Sequence, residues 1–181
     1  MRKLSIALFV LLAFTLAAAQ QDKSKRPSPP GTAEVTLSGK KITVDYSRPK
    51  IADPKTGTPR KIFGGLVPYG QVWRTGANDA TSLKTDADLD IGGTKVPAGS
   101  YTVFTLPSES GWKLIINKQT GEWGTKYDEK QDFARIPMKA EKTSKTVDPF
   151  TISFDKKSET EAALHLAWEN TDASVSVRLK K

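Results

Sequence analysis

The sequence predicts an all-β fold, a two-layer antiparallel β-sandwich or jelly-roll-like domain of about ten short strands joined by turns and long irregular loops. Apolar and polar residues alternate with period two in short runs along most of the chain. Gly and Pro, 13 and 11 among 181 residues, punctuate these runs at short intervals. No amphipathic helix of convincing length interrupts them, which removes the α/β and helical-bundle alternatives. The length suits one domain, large enough to bury a core without disulfides, and the chain has no Cys to make one.

The chain opens with Arg2 and Lys3, an apolar run from Leu4 to Leu16, and Ala17, Ala18 and Ala19. This pattern predicts a signal peptide over residues 1–19, cleaved after Ala19, since the apolar run is shorter than the roughly 20 residues of a spanning helix. The expected location is therefore secreted or periplasmic, with no transmembrane anchor in the mature chain. Residues 20–31 carry Pro27, Pro29 and Pro30 among Lys, Arg and Ser and predict a flexible linker, leaving residues 32–181 as a single sandwich domain.

Glu34–Leu37 and Lys41–Tyr46 alternate on either side of Ser38-Gly39-Lys40 and predict a β-hairpin. Residues 48–57 hold Pro49, Asp53-Pro54 and Thr56-Gly57, which favour turns. The stretch from Arg60 to Asn78 is rich in Gly and aromatics without a clean period. Its Ile62, Phe63, Leu66, Val67 and Trp73 are too apolar for disorder, so it is expected as a packed irregular segment against the sheet. Strands are expected over residues 82–85, 89–91, 94–96 and 100–106, and over 112–117, whose continuous apolar centre implies burial on both faces. After a second loop, residues 118–131, four more alternating runs follow at 133–140, 150–154, 162–168 and 173–179.

The segments Ser47-Arg-Pro49, Lys61 to Thr81, Pro97-Ala-Gly-Ser-Tyr101 and Trp112 to Lys118 closely resemble the bacterial family called domain of unknown function 2911. The long run Leu66 to Asn78 is the most specific part. The resemblance spans most of the mature chain and departs from the expected pattern only at Asp79, where Glu is expected. It implies a secreted or envelope-associated single domain and brings no established activity.

The formal charge is +8, falling to +6 once Arg2 and Lys3 leave with the leader. The basic residues are dispersed among acids with no recognised reading motif, so nucleic acid is not an expected partner. An electrostatic preference for anionic surfaces such as acidic glycans or phospholipid headgroups is one reading of this charge; a solvated mixed-charge surface is the simpler one.

Trp73, Arg74 and Asn78 form a candidate binding loop, an indole face beside two directional hydrogen-bonding groups. The competing reading is structural, with Trp73 in the core and Arg74 holding backbone carbonyls. Tyr69, Trp123 and Tyr127 would join them in a carbohydrate-facing platform if the two long loops fall at one end of the sandwich. Each would otherwise pack separately over a sheet face.

Catalytic and metal sites find little support. His165 is the only histidine, and without Cys a zinc site of the usual ligands cannot be assembled. Its alternation with Leu164, Leu166 and Trp168 puts it on the opposite face of its strand. Asp86, Asp88 and Asp90 are better read as exposed acids beside a hairpin than as calcium ligands, because Ile91 stands where an EF-hand loop requires Gly. Asp128, Glu129 and Asp132 invite a glycosidase reading that depends on their separation in space.

No cofactor or metal is expected. The leading expectation is a non-catalytic binding module for a glycan or cell-envelope partner, using the loop 61–78. A carbohydrate-active hydrolase with Asp or Glu as catalytic groups and Arg74 stabilising charge is the first alternative. A structural subunit of an envelope assembly is the second.

Overall fold

A computed structural model describes residues 22–180; the predicted signal peptide lies outside them. The described residues are all-β apart from two single turns of 3₁₀ helix, Lys23–Lys25 and Glu129–Gln131. Its nine strands are β1 (Pro30–Leu37), β2 (Lys40–Ser47), β3 (Thr81–Thr85), β4 (Leu89–Ile91), β5 (Thr94–Val96), β6 (Gly99–Leu106), β7 (Trp112–Asn117), β8 (Asp132–Lys156) and β9 (Glu161–Leu179). All pairings are antiparallel, in the order β1-β2-β3-β6-β7-β8-β9-β4-β5.

This continuous sheet folds over on itself at β8. The first part of β8, through Met138, pairs with β7; from Lys139 onward it pairs with β9, which in turn pairs with β4. The two layers close face to face, with β1 packed near β8 and β9 although it pairs with neither. Where β8 changes direction its register with β9 shifts twice, between Lys142 and Val147 and between Val147 and Thr151.

The count of strands differs from expectation here. The runs 133–140 and 150–154 are parts of β8, and 162–168 and 173–179 are parts of β9. Residues between those runs are polar because they lie where the ribbon is largely exposed, and polarity there does not end the strand. Pro30 and Gly31, placed in the linker by composition, begin β1, an edge strand where proline's missing donor is tolerated.

Alternation reflects the sandwich interior directly. In β9, Ala162, Leu164, Leu166, Trp168, Ala173, Val175 and Val177 are buried while the residues between them are not. β7 departs from alternation as expected, with Leu114, Ile115, Ile116 and Asn117 all buried. Its outer face is covered because Phe104, the cross-strand neighbour of Ile115, lies under Tyr127 of the second loop, ring centres 4.9 Å apart.

Tyr46 ties the layers together: its hydroxyl donates to the Ile152 carbonyl and accepts from the Ile152 N–H. With Phe150 N–H donating to the Pro49 carbonyl, these bonds satisfy the backbone of β8 on the side away from β9.

Candidate functional site

The loop between β2 and β3 is held by its own apolar residues rather than by ladder bonds. Ile62, Phe63, Val67 and Trp73 are buried in the core, and Leu66 and Tyr69 are left outside. The reversal at Gly65 is so close that a Cβ there would stand 2.4 Å from the Lys61 carbonyl oxygen, so this position requires Gly. Trp73 exchanges two backbone bonds with Thr105 of β6, 2.8 and 2.9 Å, which fixes the loop across the sheet.

Beyond Trp73 the backbone is strained, with φ of 53° at Thr75 and 57° at Asn78. Buried polar groups over-determine this conformation. The Thr75 hydroxyl lies 3.1 Å from that of Thr105 and donates to the Trp73 carbonyl, while the Thr81 hydroxyl donates to the Thr75 carbonyl. The Asn78 amide donates to the Ser28 carbonyl and to the Ser47 hydroxyl, so Asn78 serves as a latch between the loop and the N-terminal segment.

Two further segments converge on the loop. Lys23 and Arg26 pair with Asp79 at 2.9 and 3.0 Å, and the hydrogen bond from Lys23, ahead of its charge and that of Arg26, holds the Asp79 carboxyl below its ordinary range. The second loop lies on the other side, with Ala80 N–H donating to the Glu122 carbonyl and Gly124 N–H to the Asn78 carbonyl. A Cβ on Gly124 would meet Arg74 Cδ at 2.8 Å and the Asn78 oxygen at 2.9 Å. The two long loops therefore do adjoin, which sequence alone left open.

Adjoining loops do not produce a single aromatic platform. Trp73 is buried at the base, and Tyr69 and Trp123 are exposed but border none of the main cavities. Tyr127 borders a shallow 260 Å³ cavity with Trp73 and Arg74. Its hydroxyl donates to Asp132 at 2.6 Å and accepts from Arg135 at 2.8 Å. Burial first, then the bond to Asp132, pushes its phenol up to about 12.

The larger feature is a cleft of about 560 Å³ between residues 49–60, the loop 66–77 and the N-terminal segment. Trp73 and Trp168 contribute to it and stack on each other, ring centres 5.8 Å apart and planes 17° from parallel. Phe63 and Phe150 pack their edges or tilted faces against this pair. Arg60 donates to the carbonyls of Lys50, Ile51 and Ala52 and shapes the wall. Asp53 accepts from the Lys55 and Thr56 N–H groups, and these bonds hold its carboxyl below its ordinary range.

Two donors bordering the cleft have no acceptor among the described residues. Trp168 is 1% exposed and its indole N–H is unmatched. Arg74 is half-buried and, of the arginines in the described residues, alone makes no hydrogen bond or ion pair. Arg26, Arg48, Arg60, Arg135 and Arg178 are all engaged. The structural reading weighed for Arg74, that it bonds backbone carbonyls, describes Arg60 instead.

The carboxylates weighed as catalytic groups are occupied structurally. Asp132 receives Tyr127, Arg135 and Asn117, Glu129 receives Arg135, and Asp128 caps the 3₁₀ turn through Lys130 N–H. Asp88 and Asp90 accept from Ala98 and Gly93 N–H groups. His165 pairs with Asp172 at 2.8 Å. Among the described residues no cluster of His, Asp and Glu is arranged to hold a metal ion, and no helix is long and apolar enough to cross a membrane.

Sequence reasoning did not single out Lys50, Asp53, Arg60 or Trp168 for this cleft. Trp168 obeys strand alternation and reads as core, which it also is. The other three sit in a turn-rich stretch whose path over the loop depends on tertiary packing.

Comparison with curated proteins and with solved structures gives no match. The family model for proteins of unknown function DUF2911 matches residues 28–177, a span holding every strand from β1 to β8 and all but the end of β9, together with both loops and most of the cleft lining; the chain belongs to that family.

Proposed function

We propose that this protein is a non-catalytic binding module, secreted or periplasmic, that receives a glycan of its cell envelope or surroundings in the cleft bordered by Trp73, Arg74 and Trp168. The observation that carries this reading is a concave, partly apolar cleft with the stacked pair Trp73 and Trp168 at its base and, at its border, Arg74, which has no partner among the described residues. The cleft volume lies within the range of about 300–1,000 Å³ usual for ligand sites. The loops that form it are fixed by buried bonds, which favours a pre-formed site. The predicted signal peptide supports the location.

The carboxylate hydrolase is less well supported by the same geometry. Glycoside hydrolysis in its usual form needs two carboxyl groups across one bond, and Asp53 is the single acid bordering the cleft. Its oxygens are already engaged by Lys55, Thr56 and Arg60.

A thermal-shift panel of defined envelope and extracellular oligosaccharides on the chain from Gln20 to Lys181 tests the reading. A saccharide at a hundredfold excess over its Kd is expected to raise the wild-type Tm by about 5 °C or more, and Arg74→Gln to weaken that response. Silence across the panel, or a shift of equal size in Arg74→Gln, would overturn it.

A further inference from the structure

We infer that the saccharide taken by this cleft is acidic, with a ring carboxylate seated against Arg74. The inference rests on the glycan reading and adds a chemical class to it. Its basis is the imbalance of hydrogen-bonding groups around the cleft. Arg74 brings a guanidinium and Lys50 an ammonium, neither with a partner among the described residues. Lys25 and Arg60 add positive charge, Lys25 only 3.8 Å from Asp22. Against these stands one carboxylate, Asp53, whose Oδ1 accepts from two backbone N–H groups and whose Oδ2 lies 3.8 Å from Arg60, so that Arg74 and Lys50 are the cations left without a counter-charge.

A neutral saccharide presents hydroxyls that both donate and accept, and would leave its own donors short of partners here. A uronate presents two acceptor oxygens in the plane that a guanidinium fork matches, and its charge is complementary to the surrounding cations. Arg74 is placed for this role by its surroundings. Its aliphatic stem lies against Gly124, where no side chain intervenes, and its neighbours Trp73 and Thr75 are immobilised by bonds to β6. The stem is therefore packed on a rigid support, which limits the side-chain freedom lost when the fork takes a bidentate partner. The net charge, +8 over the whole sequence and +6 without Arg2 and Lys3, favours approach of an anionic chain.

Titration calorimetry with digalacturonate, with neutral galactobiose and with acetate, on wild type, Arg74→Gln and Lys50→Gln, provides the test. Digalacturonate is expected to bind wild type at least about tenfold more tightly than galactobiose, to lose about tenfold or more in Arg74→Gln, and to weaken as salt is raised. Lys50→Gln, at the exposed rim, is expected to lose only a few-fold. Circular dichroism of Arg74→Gln establishes that it is folded; Arg74→Lys, which keeps charge but not the fork, is the second variant and is expected to recover only part of the affinity. Equal binding of digalacturonate and galactobiose would overturn the acidic assignment and leave the glycan reading standing. Binding of acetate in an Arg74-dependent manner with neither saccharide bound would overturn both, as would absence of all binding to the folded wild type.

Discussion

Arg74 lies in the first long loop of this molecule and Arg135 at the start of β8, where it binds the second, and they are used in opposite ways. Arg135 donates to Asp132, to the Tyr127 hydroxyl and to Glu129, all at 2.8 Å. Arg74 makes no bond among the described residues, although its half-buried stem is packed as closely as that of a structural residue. A guanidinium surrounded by acceptors fastens a loop; one held among donors at a cleft is available to something outside the chain. The two loops share a sequence character, aromatic and Gly-containing, and differ in whether acids accompany the arginine.

The largest effect is expected beneath Arg74, where the cleft and the core share residues. Trp168→Ala removes a fully buried indole that stacks on Trp73 and meets Phe63 and Phe150. It should lower stability by about 3–5 kcal/mol in urea denaturation, with Trp73 left facing a cavity. A loss under about 1 kcal/mol would mean that the cleft wall is not core, and the distinction between a rigid base and an available rim would fail.

On the Arg135 side, Arg135→Met keeps the stem and deletes three charge-assisted bonds around a partly buried Asp132. A cost of about 1–2 kcal/mol is expected, since Asn117 and Tyr127 still reach that carboxylate. The same measurement on the Asn117→Ala background should show non-additivity, because both side chains serve one carboxylate.

Tyr127 sharpens the contrast through pH. Its phenol is pushed up to about 12 by burial and by Asp132, whereas in the unfolded chain it ionises near 10. Between these values the unfolded chain holds fewer protons than the folded one, so stability is fully present below pH 10 and falls as pH rises toward about 12. Denaturant midpoints measured from pH 9 to 12 should decline in wild type, and the decline should be shallower in Tyr127→Phe. Identical slopes would show that other groups dominate the alkaline limb.

How far this division was legible in the sequence depends on where each residue's partners come from. The hairpin of β1 and β2 follows from local alternation and Ser38-Gly39, whose φ values of 43° and 77° suit its two-residue turn. Burial of β7 on both faces follows from its unbroken apolar run. The continuity of β8 did not, because Glu141 to Thr146 lack apolar residues and the strand is held by pairing with β9 on either side of an irregularity, through Lys142 and again at Val147. Trp73 and Arg74 were visible as candidates of either kind. Deciding between them needed the positions of Arg60, which takes the backbone carbonyls, and Trp168, which lies almost a hundred residues away in sequence and is next to Trp73 only once the sheet folds over.

The smallest expected effect completes the comparison. Arg74→Met retains a straight stem of similar reach and removes a guanidinium that has no partner to lose. Its stability should therefore stay within about 0.5 kcal/mol of wild type, the usual range for substitutions that break no buried bond. Any change within that range should be toward higher stability, since removal of one positive charge relieves Lys50 and Lys25. Paired with Arg135→Met in the same denaturation series, the result separates the two uses of arginine without reference to any ligand. Should Arg74→Met cost as much as Arg135→Met, the guanidinium must be fastening the loop after all, and the cleft would lose the half-buried cation on which its reading as a binding site rests.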